Sequence, residues 1–183
     1  MLKILLATTT IAAVMASMPD PVTIYAFKVP GLTGGIIDFS RFKGQKILIV
    51  NTASLCGNTP QYADLEKLYH MYQGKLVIVG FPANNFGQQE PGTNAEIAAF
   101  CHNKYHITFP MAAKISVKGP DTHPLYRWLA NQCRAKGLEP AEPQWNFQKY
   151  LIDEKGQLVA VFAPSIHPLD PQIIHAITKT YAE

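Results

Sequence analysis

Three residues in this chain could do covalent chemistry through a thiol: Cys56, Cys101 and Cys133. Cys56 lies in NTASLCGNTPQY (51–62), directly after an apolar run and directly before a helix-start signal. Thiolate, not thiol, is the nucleophile, and the free N–H groups and partial positive charge of a helix N-terminus favour it. A dithiol reductant of the C-x-x-C type would need a second cysteine at 59, where this chain has Thr59. The lone thiol therefore points to attack on an external electrophile, with any partner thiol elsewhere. A packed structural cysteine at the same junction is the competing reading.

Uncharged donors stand at two further places. GFPANNFGQQEPG (80–92) offers the amides of Gln88 and Gln89, and QWNFQKYLID (144–153) offers the indole of Trp145 and the amide of Asn146. Amide and indole N–H groups could hold a thiolate and a small polar substrate without adding charge. Taken singly, each also fits a turn, a core tryptophan or a strand cap. His102 and His106 are four residues apart, but no third ligand accompanies them, so a solvated face is preferred to a metal site. The cysteines are 45 and 32 residues apart, which matches no zinc pattern. No phosphate-binding glycine loop and no serine-triad pattern is present.

The elements that must position these groups follow from the apolar pattern. KILIVNTAS (46–54) and KLVIVGFPA (75–83) read as buried central strands. Between them Thr59 is a candidate N-cap and Pro60 a first helical residue, followed by a stripe of Leu65, Leu68, Tyr69 and Tyr72. Two strands around one helix make a parallel βαβ unit with a right-handed crossover. The loop after each parallel strand then lies at one sheet edge, which brings Cys56 and Gln89 together. Residues 23–28 and 36–39 predict an N-terminal hairpin, and Thr93 and Glu96 have capping-box spacing for a helix over 94–105. A strand over 109–117, a helix over 123–133, a hairpin over 146–164 turning at 154–156, and a last helix capped by Asp170-Pro171 complete the order. That order predicts an α/β three-layer sandwich, a thioredoxin-like fold with an added hairpin, in a single domain.

Composition agrees. The chain has 183 residues, 48% of them apolar, enough for one sizeable core. A net charge of +3 with no run of like charge points to neither nucleic acid nor a membrane surface. The first sixteen residues, MLKILLATTTIAAVMA, differ from the rest: one lysine, thirteen mostly apolar residues, and Val14-Met15-Ala16 as a small-residue cleavage site. They read as a signal peptide, too short to span a bilayer comfortably, with 17–183 as the mature domain. The expectation is export, periplasmic or extracellular, or a cytoplasmic protein if these residues are not cleaved. An odd cysteine count leaves at least one thiol free or paired elsewhere in an exported protein.

Together, NTASLCGNTPQYADLEKLY, GFPANNFGQQEPG, EIAAFC…FP and WNFQKYLID resemble the glutathione peroxidase family in order and spacing from about residue 22 to 181. The resemblance implies a thioredoxin-like fold and reduction of hydroperoxides without a bound cofactor, a thiol serving as reductant. It places Cys56 at the peroxidatic position and Gln89, Trp145 and Asn146 at the other three positions of the family's tetrad. It also implies that Cys101, in its FC context, is the resolving cysteine of members reduced by thioredoxin; direct reduction by glutathione is the alternative. Packing of Cys101 with Ile97, Ala98 and Tyr105 is the bland reading of the same residue. Ala83, Asn85 and Val161 depart from the family pattern, none of them in the tetrad, and Cys133 has no counterpart. The fifteen residues between Leu129 and Trp145 leave no room for the insertion of tetrameric members, implying a monomer. A disulfide oxidoreductase or a thioredoxin-fold redox sensor are the rival readings.

Overall fold

In the computed structural model, residues 22–181 are described. The proposed signal peptide, 1–16, lies outside them. The sheet is built on two seven-residue strands, β3 (Lys46–Thr52) and β4 (Leu76–Pro82), every residue of which is buried. Both faces are covered, so neither strand needs polar alternation, and both read as continuous Val/Ile/Leu runs. They pair in parallel from Lys46 opposite Leu76 to Thr52 opposite Pro82, joined by α1 (Gln61–Met71). β5 (Lys149–Ile152) runs antiparallel against the other side of β3, and β6 (Leu158–Phe162) pairs antiparallel with β5. The order is β4-β3-β5-β6.

Helices cover both faces. On one, Ile47 and Ile49 pack with Leu125, Trp128, Leu129 and Cys133 of α3 (Pro124–Lys136). On the other, Leu48 and Val50 pack with Leu65 and Leu68 of α1, Ile97 and Cys101 of α2 (Asn94–Tyr105), and Ile173 and Ile177 of α4 (Pro171–Thr178). The expected three layers are present. Thr93 and Glu96 form the capping box of α2, and the Asp170 side chain accepts the Gln172 N–H to cap α4.

Three local readings change. The segment expected as a strand over 23–28 is a 3₁₀ turn (Ile24–Ala26) followed by β1 (Lys28–Pro30), which pairs with β2 (Ile36–Asp38). Residues 109–117 make isolated bridges at Met111 and Ala112 instead of a strand. Met111 crosses directly over Gly80, where a Cβ would fall 2.3 Å from its Sδ, so the approach requires glycine. Finally, α1 begins at Gln61 with Pro60 as its flanking residue and no side-chain cap. Thr59 is not the N-cap; its hydroxyl is engaged elsewhere, in the turn that carries Cys56.

Candidate active site

Three segments meet at the carboxyl edge of β3 and β4. In the first, the chain leaves β3 at Thr52 and turns through 53–60 before α1 starts. Thr59 pins that turn. Its Oγ1 accepts the Cys56 N–H (3.0 Å) and donates to the Ala53 carbonyl (2.9 Å), while its own N–H donates to the Cys56 carbonyl (3.0 Å). Both backbone polar groups of Cys56 are thus held, and its side chain is left to the approach of α1. There the Asn58 N–H donates to Cys56 Sγ at 3.3 Å. Cys56 is 8% exposed, shielded but reachable.

The second segment is the loop after β4. Gln89 is tied to the cysteine turn, its carbonyl accepting the Leu55 N–H (3.0 Å). Lys114 steadies the same loop by donating to the carbonyls of Glu90 (3.2 Å), Pro91 (3.4 Å) and Gly92 (2.5 Å). Gln88, just before Gln89, has φ +52°, a left-handed conformation that costs a non-glycine residue about 1–2 kcal/mol. The loop's hydrogen bonds hold it there.

The third segment precedes β5. Asn51, on β3, brackets it: its Nδ2 donates to the Trp145 carbonyl (3.0 Å) and its carbonyl accepts the Phe147 N–H (2.7 Å). Phe147 is also left-handed, at φ +70°. Lys149, fully buried, donates to the carbonyls of Phe147 (2.7 Å), Pro164 (3.4 Å) and Ile166 (2.6 Å). Burial draws its pKa down to about 7, while the three carbonyls favour the ammonium.

Asn146 joins the segments. It is fully buried; its Nδ2 donates to Gln89 Oε1 (3.0 Å), and its carbonyl accepts from Asn58 Nδ2 (3.3 Å). Cys56, Asn58, Asn146 and Gln89 therefore form one hydrogen-bonded chain. Trp145 stands at its rim, 41% exposed, its ring 5.7 Å from that of Phe86. Among the described residues, the hydrogen bond to the Cys56 sulfur comes from Asn58, and not from Gln89, Trp145 or Asn146. The sequence did not single out Asn58, Asn51 or Lys149, and it offered Thr59 as a helix cap, not as the pin of the Cys56 turn. An asparagine two residues after a candidate nucleophile, in a turn, was the available signal for Asn58.

All three cysteines are free thiols. Cys101 shares a core cluster with Cys56, whereas Cys133 belongs to the cluster on the opposite face of the sheet. Burial pushes each of the Cys101 and Cys133 thiols up to about 11. His106 lies just beyond α2, at φ +53°, and acts as its left-handed C-cap.

A four-stranded mixed sheet between two helical layers, with one thiol in the turn between β3 and α1, defines a thioredoxin-fold protein with a single-cysteine site. A sequence model of the glutathione peroxidase family matches residues 24–130. The chain is 46% identical over 136 residues to a glutathione peroxidase-like peroxiredoxin of Schizosaccharomyces pombe, covering 74% of this chain and 85% of that one. It is 45% identical over 145 residues to a glutathione peroxidase of Lactococcus lactis, covering 79% and 91% respectively. The crystal structure of Trgpx in its apo form superposes with a TM-score of 0.66 at 35% identity, covering 86% of this chain and 97% of that one. The chain belongs to the glutathione peroxidase family.

Proposed function

We propose that this protein reduces hydrogen peroxide and organic hydroperoxides with Cys56 as the attacking thiolate and an external thiol as the final reductant. The observation that carries this reading is the hydrogen-bonded chain from the Cys56 sulfur through Asn58 and Asn146 to Gln89. The Asn58 N–H supplies a donor to negative sulfur at the approach of α1. Because Gln89 Oε1 is occupied by Asn146, its Nε2 hydrogens remain as donors to peroxide oxygen. The Trp145 indole N–H at the rim is a second such donor.

Cys56 sulfur takes the nearer peroxide oxygen as the O–O bond breaks, giving sulfenic acid; the departing oxygen leaves as water or alcohol after protonation. Cys101 then attacks that sulfur, the S–S bond forms, and water leaves. An external dithiol of the thioredoxin type reduces the disulfide; glutathione attacking the sulfenic acid directly is the other route. The common core cluster of Cys56 and Cys101, with Cys133 across the sheet, supports this pairing. The short connection between α3 and Trp145 supports a monomer, and the N-terminal sequence supports export.

Purified protein assayed for peroxide consumption, with thioredoxin or glutathione as reductant, tests the reading. Cys56→Ser should lose turnover because a hydroxyl is hardly ionised at neutral pH. Activity within tenfold of wild type would refute it. Cys101→Ser should consume about one equivalent of peroxide and then stop with thioredoxin.

A further inference from the structure

The proposed chemistry leaves one fully buried cation without a task. Lys149 opens β5 and shares the sheet face of Leu151, since alternate residues of a strand point the same way. Among the described residues no carboxylate pairs with it. A buried ammonium is costly, and an apolar side chain of similar length would fill this layer at less cost. What lysine supplies is three N–H donors at the end of one long reach. They meet the carbonyls of Phe147 (2.7 Å), Ile166 (2.6 Å) and Pro164 (3.4 Å). The Pro164 carbonyl also accepts Gln61 Nε2 (2.9 Å), from the first residue of α1. The ammonium thus ties Phe147 to the 164–166 segment and, through it, to α1.

Phe147 is where this tie reaches the site. Its φ of +70° is a conformation that persists only where the surroundings fix it. The Asn51 carbonyl holds its N–H (2.7 Å) and Lys149 holds its carbonyl. The residue before it is Asn146, whose Nδ2 donates to Gln89 Oε1 (3.0 Å). That bond decides which way the Gln89 amide faces, leaving Nε2 for peroxide oxygen. Every link from the ammonium to Gln89 is a covalent bond or a hydrogen bond of 3.0 Å or less. The thiol is held by other groups: Thr59 pins the Cys56 turn, and the Asn58 N–H meets the sulfur.

We propose that Lys149 is a positioning residue for peroxide reduction: by holding the left-handed turn at Phe147 it aims Asn146 and, through it, the Gln89 donor. The proposal rests on Cys56 being the attacking thiolate. Lys149 serves the oxygen-binding half of the site and not the thiolate half, and this division makes its role measurable.

The test compares two reactions of Cys56 by rapid-quench mass spectrometry. Sulfenic acid formation with hydrogen peroxide uses the oxygen donors; alkylation by iodoacetamide needs only the thiolate. Lys149→Met should slow the first at least about tenfold, the scale of a misplaced donor, and leave the second within about threefold of wild type. In a Gln89→Ala background the donor being aimed is gone, so adding Lys149→Met should slow peroxide reduction by less than about threefold further. A lysine with a merely structural role would show its full effect in both backgrounds. If Lys149→Met does not fold, Lys149→Gln is read by the same criteria. Unchanged sulfenic acid formation, an equal fall in both reactions, or full additivity with Gln89→Ala would overturn the proposal. Absence of sulfenic acid at Cys56 in the wild type would overturn the peroxidatic reading itself, and this proposal with it.

Discussion

A Cys56–Cys101 disulfide needs its Cα atoms within about 7 Å. Cys56 lies in the turn ahead of α1, whereas Cys101 sits inside α2, eight residues into a twelve-residue helix packed on the core. We expect closure to require α2 to open, and its rate to scale with the open population. A helix of this length does not persist without its packing and caps, so it should open as a unit. Its buried side chains are Ile97 and Cys101, with Ala98, Phe100 and Tyr105 packed on the core in part. Its ends carry much of the rest. At the start, Thr93 Oγ1 accepts the Glu96 N–H (3.3 Å) and donates to Glu96 Oε2 (2.8 Å). At the end, the His106 and Ile107 N–H groups close on the carbonyls of His102 and Cys101.

Thr93→Ala removes the side-chain cap but leaves the Thr93 backbone N–H bonded to Glu96 (2.7 Å). The loss is about 1 kcal/mol. That corresponds to about a fivefold larger open population. Disulfide closure should therefore accelerate about fivefold, while sulfenic acid formation at Cys56 stays at the wild-type rate. Asn103→Ala, at an exposed helical position, should act oppositely by raising helix propensity, slowing closure about twofold for a gain of about 0.5 kcal/mol. Stopped-flow Trp145 fluorescence with quenched-flow mass spectrometry separates the two steps. Amide exchange should show lost protection across 94–105 in the oxidised protein. Closure unchanged or slowed in Thr93→Ala, or a fully protected α2 in the disulfide form, would refute helix opening as the gate.

Trp145→Phe keeps the packing against Phe86 and removes only the indole N–H, so first-turnover peroxide reduction should slow at least about tenfold with little change in melting temperature; a wild-type rate would make the indole structural. Lys149→Met should cost about 1–3 kcal/mol in chemical denaturation, because the Phe147 and Ile166 carbonyls lose their donor. It should also slow sulfenic acid formation by loosening Asn146. The folded chain holds the Lys149 proton less tightly than the unfolded chain, so this group adds stability as pH climbs from about 7 toward 10.5. Lys149→Met should lack that rise in denaturation midpoints.

Much of the frame was legible because burial on both faces leaves a plain signature. The apolar runs of β3 and β4, the Thr93–Glu96 capping pair and Asp170-Pro171 each carry their mechanism in the sequence. Of the expected site residues, the structure links Cys56, Asn146 and Gln89 through Asn58, with Trp145 at the rim. The misses have physical reasons. A threonine before Pro60 suits an N-cap and a turn pin equally, and only the position of the Ala53 carbonyl decides between them. Residues 109–117 look strand-like by composition, yet Met111 and Ala112 find partners only where Gly80 and Gly31 admit close approach. Nothing in the local sequence marks Lys149 as buried. It is buried because the chain folds back at 164–166 and offers carbonyls that no local pattern announces.

The proposed cycle asks opposite things of two neighbouring parts of the fold. Peroxide attack needs donors fixed in place, and there the structure spends hydrogen bonds freely. Two left-handed residues, Gln88 and Phe147, stand beside Gln89 and Asn146; Phe147 is bonded directly to Asn51 and Lys149, and Gln88 is fixed through its neighbour Gln89, which is bonded to Leu55 and Asn146. Such conformations persist only where the surroundings over-determine them. Resolution needs Cys101 to travel, and α2 is anchored by two buried side chains, three partly buried ones and its caps. A mutation that tightened α2 would thus slow only the second half of the cycle, leaving sulfenic acid to accumulate and oxidise further. A mutation that loosened the loop at 88–92 would do the reverse. Measuring both half-reactions in one variant set distinguishes this division from a uniformly rigid site, in which both rates would fall together.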